Sequence, residues 1–403
     1  MRYRPVEWYR SSDDAPGRVR PSVSRAIRNW LRGRLPEPDV RDKTLVIYAR
    51  RGFPKLSSWA GMFSEFHSVL GALAYAEMRG AAGVRVDFRS ALYVDPERGP
   101  NWWTHFFTRA EMAVRPSPSL AARGESLAAF DGRCVPAPPH RAGKRAAGTP
   151  AAGCVAPPSN TPGILGRRAL PSGRLARLGA TPDFHHGLPG ELHLNRVVAK
   201  YGRHGGFCDL VNGVTPYLYP MTWGVSRSEL HRLVTTHIDV RPEIRDEVDR
   251  IVAASFEPGA YIVGVHYRGT DSTHGLAGSL VDHRTYRIPY SAYADEVRRV
   301  LAVAAPRRCQ VLVATDETEF LDFMRRELGD RVLCLEDAPR VRAGGAAIHF
   351  DDALQVSNYQ KGKSGLVDCL LLAATSYLVK GRSNLSDASL AFNPRLPYSF
   401  CVR

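Results

Sequence analysis

The sequence predicts an α/β protein of two lobes, each a Rossmann-like layer of parallel strands with helices packed against it. Three observations predict this. Short apolar runs alternate with helical periods over residues 45–88, and the same alternation returns over 261–394, which is the signature of βαβ units. Polar clusters then follow three of the C-terminal strands, where open parallel sheets bind their ligands.

In chain order, residues 1–42 form a polar extension rich in Arg and Pro. Within it, residues 22–35 place Val23, Ile27, Trp30 and Leu31 at helical spacing among arginines. That pattern predicts a short amphipathic helix packed on the body of the protein, with weak contact to a membrane surface as the second reading. Leu45–Ala49 reads as a buried strand, Ser64–Arg79 as a helix and Val84–Phe88 as a second strand. The apolar face of that helix carries Phe66, Val69, Leu70, Leu73 and Ala74, with Glu77 at its polar end. Trp102, Trp103, Phe106 and Phe107 come next, four large aromatics that belong in a core. From 115 to 183 the periodicity dissolves into Ala, Pro, Gly, Arg and Ser, a composition that predicts a poorly ordered insertion.

Periodicity resumes near Glu191, with a helix over 195–202 and a strand over 205–213. Ser226 and Glu229 stand at capping-box spacing before a helix reaching His237, and Pro242 opens a helix reaching Ser255. The C-terminal half alternates strand 261–266, helix 291–304 capped by Ser291, strand 310–315, helix 317–328, strand 331–335, helix 365–374, strand 376–380 and a last helix from about Ser386. The domain scheme is an extension (1–42), an N-terminal lobe (43–255) carrying the 115–183 insertion, and a C-terminal lobe (256–403).

Composition narrows the function classes. An apolar share of 44% and a charged share of 24% are those of a globular chain. No apolar run reaches the ~18 residues of a membrane span. Met1–Asp14 lacks the apolar core of a secretory signal, so a cytoplasmic protein is expected. The seven cysteines are scattered without a Cys-x-x-Cys pair, which argues against a zinc site or a disulfide framework. The net charge of +15 raises nucleic acid as a partner. About half of it, however, sits in residues 115–183, which hold ten Arg or Lys against three acids and a single aromatic, Phe130. No specific nucleic acid is therefore expected.

The chemistry gathers at three strand ends. After the first C-terminal strand comes His266-Tyr-Arg268-Gly269-Thr270-Asp271. After the second comes Thr315-Asp316-Glu317, and after the fourth comes Gly381-Arg382-Ser383-Asn384-Leu385-Ser386, running into a helix. An arginine fork beside a helix N-terminus is what a diphosphate needs: a charged bidentate donor, free amides and the positive end of a dipole. Asp316 can accept hydrogen bonds from a base edge or a ribose. Each cluster also has a plain reading, with Asp316, Ser383 and Ser386 as helix caps. Gly362-Lys363-Ser364 resembles the tail of a phosphate loop, but Ser357 occupies the first glycine's place and no strand precedes it, which excludes an ATPase loop.

The segment Tyr261–Asp271 resembles the His-x-Arg-x-x-Asp strand–loop of the fucosyltransferases that include the nodulation, α1,6- and protein O-fucosyltransferases. The later signals Ala314-Thr-Asp316, Asp368-Cys-Leu-Leu-Leu372 and Leu378-Val-Lys-Gly-Arg-Ser-Asn384 stand in a similar order. The resemblance covers residues 261–394, and residues 44–107 loosely. It implies a GT-B-like fold with a donor cleft between acceptor and donor lobes. It also implies GDP-fucose as donor, a glycan-type acceptor, inversion at the anomeric carbon, and neither cofactor nor metal. The chain contains no Asp-x-Asp pair. Carried over, Arg268 would hold the β-phosphate, and His266, Gly269, Thr270, Asp316, Asp368, Arg382, Ser383, Asn384 and Ser386 would line the donor site. Where the α1,6 enzymes carry a second arginine this chain has Gly269, and a family glutamate falls on Leu276. The general base stays open between Asp271 and Glu65.

Overall fold

The computed structural model describes residues 40–49, 61–89, 92–120, 191–193, 227–269, 288–343, 345, 348, 351, 353–381 and 383–401. The expected helices over 22–35 and 195–202, the strand over 205–213, Ser226 and most of the 115–183 insertion lie outside them.

The N-terminal lobe is built on strands β1 (Thr44–Ala49), β2 (Gly83–Phe88), β3 (Glu111–Ala113) and β4 (Glu191–His193), in the order β3-β2-β1-β4. β1 pairs in parallel with both β2 and β4, and β3 closes the edge antiparallel to β2. Helix α1 (Met62–Arg79) makes the crossover between β1 and β2, which confirms the βαβ unit read from periodicity. It ends on Gly80 in the left-handed conformation (φ 72°), the backbone region glycine enters without steric cost.

α1 is buried on nearly every face rather than along one stripe. It touches β1 and β2 on one side and, on the other, helices α3 (Arg227–His237) and α8 (Asn384–Phe392). Glu77, expected at the helix's polar end, is instead buried. Glu77 is 2% exposed, and α3 supplies its partners: both terminal nitrogens of Arg232, and His237 Nε2 at 3.1 Å. A buried carboxylate requires such pairing. The four aromatics sit on and around the short helix α2 (Trp103–Phe106) and are fully buried, as expected. Trp103 packs tilted against Phe107 with ring centres 4.1 Å apart, and Phe88 stacks on Trp102 at 5.1 Å.

The C-terminal lobe is an all-parallel sheet in the order β7-β6-β5-β8-β9. Its strands are β5 (Tyr261–Tyr267), β6 (Cys309–Thr315), β7 (Val332–Leu333), β8 (Tyr377–Lys380) and β9 (Tyr398–Phe400). Alternation along the strands divides the two faces. Val263, Val265, Tyr267, Val311, Val313 and Val379 pack against α5 (Tyr290–Ala304) and α6 (Thr318–Leu328). Ile262, Leu312, Ala314 and Leu378 face the other way, into a core continuous with α1, α7 (Asn358–Ala373), α8 and the first sheet. Helices thus cover both faces, the doubly wound arrangement predicted.

Several boundaries differ from the sequence reading. α5 starts at Tyr290 behind Pro289, so Ser291 is not its cap. α7 starts seven residues before the expected 365, because Ser357 and Gln360 form a reciprocal capping box. Gly362-Lys363-Ser364 therefore lies inside a helix. β7 is two residues long, and β9 carries too little apolar periodicity to have been foreseen. Among the described residues, no helix is long and apolar enough to cross a membrane.

Candidate functional site

β5 lies between β6 and β8, so three carboxyl ends emerge side by side. His266 pairs with Ala314 on one side and Lys380 on the other. The residues that follow, 268–269, 316–317, 381 and 383–384, therefore leave the sheet along one edge. By the same alternation, His266, Ala314 and Lys380 point to the face that packs toward α7, α8 and the first sheet.

His266 is 6% exposed, and its Nδ1 has no hydrogen-bond partner among the described residues. Burial, with the nearby charges of Arg268 and then Lys380, pushes its pKa down to about 3. The imidazole is neutral at physiological pH. It can offer a ligand one N–H or one lone pair, but no charge. Arg268, just past the strand, is half-buried.

Gly269 is buried, and its N–H donates to Asp316 Oδ1 at 2.8 Å. A Cβ at this position would collide with the Glu317 carboxylate, 2.6 Å from its carboxyl carbon and 2.9 Å from Tyr267 Cε1. The chain therefore carries glycine here because the fully buried Glu317 fills the space a side chain would need. Thr270 and Asp271 lie outside the described residues.

The start of α8 is the third component. Ser383 is its N-cap, with the hydroxyl accepting from Leu385 N–H at 3.3 Å. Ser386 is fully buried and donates to the Ser383 carbonyl at 3.1 Å. Asn384 donates from Nδ2 to Ser64 Oγ at 2.6 Å, and its carbonyl lies 3.0 Å from His67 Nε2. The side chains of Asn384 and Ser386 thus serve the protein's own frame, and Asn384 ties α8 to the first turn of α1. Arg382 lies outside the described residues.

Glu65 stands in that first turn, with no exposed surface. Asp368 lies on α7, partly buried. Desolvation pushes its carboxyl up to about 7, opposed only in part by Arg340.

Two groups escaped the sequence reading. Lys380 ends β8, is 1% exposed, and forms an ion pair with Asp387 in the first turn of α8. The signal was a lysine at the last position of an otherwise apolar strand. His67 joins the two lobes, and burial holds its pKa below the usual imidazole value despite Asp387 nearby. Nothing in the spacing of α1 distinguishes it from a core histidine. A concavity of about 550 Å³ bordered by Arg298, Leu301, Glu327 and Arg331 lies at the amino-terminal edge of the same sheet, away from this cluster.

Fold and site together define a two-lobed α/β chain whose C-terminal sheet presents an arginine, a neutral histidine and a capped helix start along one edge. No family model matches the chain, and no curated protein matches it. Among solved structures it is similar to the NodZ α1,6-fucosyltransferase soaked with GDP-fucose, at 17% identity over 88% of this chain and 94% of that one, with a TM-score of 0.45. It is similar to POFUT1 in complex with GDP-fucose at 12% identity over 91% and 100%, with a TM-score of 0.42. A third is FUT1 of Arabidopsis thaliana in complex with GDP, at 14% identity over 96% and 75%, with a TM-score of 0.40.

Proposed function

We propose that this chain is an inverting, metal-independent glycosyltransferase that moves fucose from GDP-fucose to a hydroxyl of a glycan or glycoconjugate. The observation that carries the reading is the shared strand edge: Arg268 after β5 and the amides at the start of α8 after β8, held in register through His266 and Lys380. Together with the His266–Asp271 sequence pattern, this is the equipment for a sugar diphosphate.

In this reading negative charge grows on the diphosphate as the glycosidic bond breaks. Groups such as the Arg268 guanidinium and the amides at the start of α8, if fixed facing that charge, lower the barrier without reorganising. Loss of one such contact costs ~3 kcal/mol, about 100-fold in rate. His266 adds a neutral hydrogen-bonding group, and Asp368 on α7 adds a carboxyl whose pKa burial raises. The acceptor's proton goes to Asp271 or Glu65.

The second reading is a non-catalytic nucleotide-sugar-binding protein of the same fold. The full burial of Glu65 favours it, since a base must reach its substrate. A thermal-shift titration with GDP, GDP-fucose, GDP-mannose, UDP-glucose and ATP, on wild type and Arg268→Ala, tests both. Ligand at a hundred times its dissociation constant adds ~2.7 kcal/mol of stability. Stabilisation by guanine nucleotides that Arg268→Ala sharply reduces supports a donor site, and acceptor-dependent release of GDP then separates enzyme from binder. A folded protein that no nucleotide stabilises overturns the proposal.

A further inference from the structure

Asp316 entered the sequence reading as a contact to the base or ribose of a donor. The geometry gives it other work. Its Oδ1 accepts the Gly269 N–H at 2.8 Å, and its own carbonyl accepts the Val341 N–H at 2.9 Å. The next residue, Glu317, has no exposed surface, and its carboxylate fills the space beside Gly269 Cα. Thr318 N–H bonds the Val341 carbonyl at 3.0 Å, so the 316–318 strand end is itself anchored. Arg268 is the residue directly before the backbone amide that this assembly grips.

We infer that Asp316 and Glu317 are positioning residues: they lock the Gly269 backbone, one by a hydrogen bond and the other by filling volume, and so hold the Arg268 guanidinium where a diphosphate is bound. The inference rests on the donor-site reading for its consequence. The lock itself is a property of the apo chain. A freely rotating Arg268 loses orientation entropy on every binding event, and a fixed one has lost it on folding. Asp316 then acts on the phosphates through Arg268, and is indifferent to the base.

The test uses full-length protein. GDP and IDP affinities are measured for wild type, Asp316→Ala, Asp316→Asn, Arg268→Ala and the double variant, alongside hydrogen exchange of the Gly269 amide without ligand. Asp316→Ala is expected to weaken GDP and IDP equally, by about tenfold, the size of one charge-assisted hydrogen bond. Asp316→Asn, which keeps an acceptor oxygen, restores most of that loss. In the Arg268→Ala background Asp316→Ala adds less than about twofold, because coupled residues are not additive. Gly269 exchange accelerates in Asp316→Ala and not in Asp316→Asn.

A second pair addresses Glu317. Gly269→Ala abolishes binding, and adding Glu317→Ala recovers part of it by vacating the volume. A loss in Asp316→Ala confined to GDP and absent with IDP would show a base contact and overturn the inference. So would full additivity with Arg268→Ala. If wild type binds no nucleotide, the donor-site reading fails, and unchanged Gly269 exchange in Asp316→Ala would separately refute the lock.

Discussion

Replacing His266 with glutamine isolates the energetic consequence of burying a neutral imidazole. In the unfolded chain the group titrates near 6.5, whereas in the fold burial and the Arg268 and Lys380 charges hold it near 3. Between those values the unfolded state binds more protons than the native state, so stability rises with pH across the window and is lost as pH falls below 6.5. Each pH unit inside the window is worth about 1.4 kcal/mol. At pH 5 the wild type has therefore lost about 2 kcal/mol relative to pH 8 through this residue alone. Other titrating groups contribute to the same curve, so the informative quantity is the difference between wild type and His266→Gln. Urea denaturation at pH 8, 6.5 and 5 measures it. The glutamine variant is expected to be less stable than wild type at pH 8, through imperfect packing, and to close the gap by about 2 kcal/mol at pH 5. Parallel stability curves for the two proteins would show that His266 is not buried neutral, and would remove the argument that it meets a ligand uncharged.

Glu77→Ala removes the partner of Arg232 and His237 inside the contact between α1 and α3. His237 is 6% exposed and loses its acceptor, while Arg232 reaches solvent at its edge, so a loss of about 2–3 kcal/mol is expected in thermal or urea unfolding. Gly362→Ala puts a methyl 2.5 Å from Phe106 Cζ and 2.9 Å from Met62 Cε, where α7 meets the first lobe. Better helix propensity contributes about 1 kcal/mol the other way. Overpacking against the fully buried Phe106 wins, and a net loss of about 1–2 kcal/mol is expected by the same measurement.

The strands and helices of both lobes were legible because they rest on local periodicity, and Pro242–Ser255 matches to the residue. What periodicity misses is what only tertiary contact decides. Glu77 reads as a helix's polar end until α3 brings Arg232 and His237 to it. β9 carries no period of its own until β8 offers it an edge. Ser357 read as a failed phosphate-loop glycine, although Ser-x-x-Gln was the capping box that starts α7 early. The strand-end clusters were legible as a group, since topology alone puts them on one edge. The job of each side chain was not, because Asp316, Asn384 and Ser386 find partners many residues away or inside their own turn.

Those internal partners change what the start of α8 can offer. The Ser383 hydroxyl is occupied by Leu385 N–H, the Ser386 hydroxyl by the Ser383 carbonyl and the Asn384 amide by Ser64. The Ser383 oxygen only accepts here, so a phosphate arriving at this turn would be met by the helix dipole, the amides other than that of Leu385, and the Ser383 O–H, but not by the Ser386 hydroxyl. Asp387 in the first turn would by itself repel such a ligand. Lys380, buried at the end of β8, pairs with it and cancels that charge without projecting into the site. With Asp387 neutralised by Lys380 and His266 uncharged, the donor-site reading assigns the attraction of a phosphate on this edge to the Arg268 guanidinium and the helix start. Asn384, tied to Ser64 and His67 of the opposite lobe, couples the start of α8 to α1.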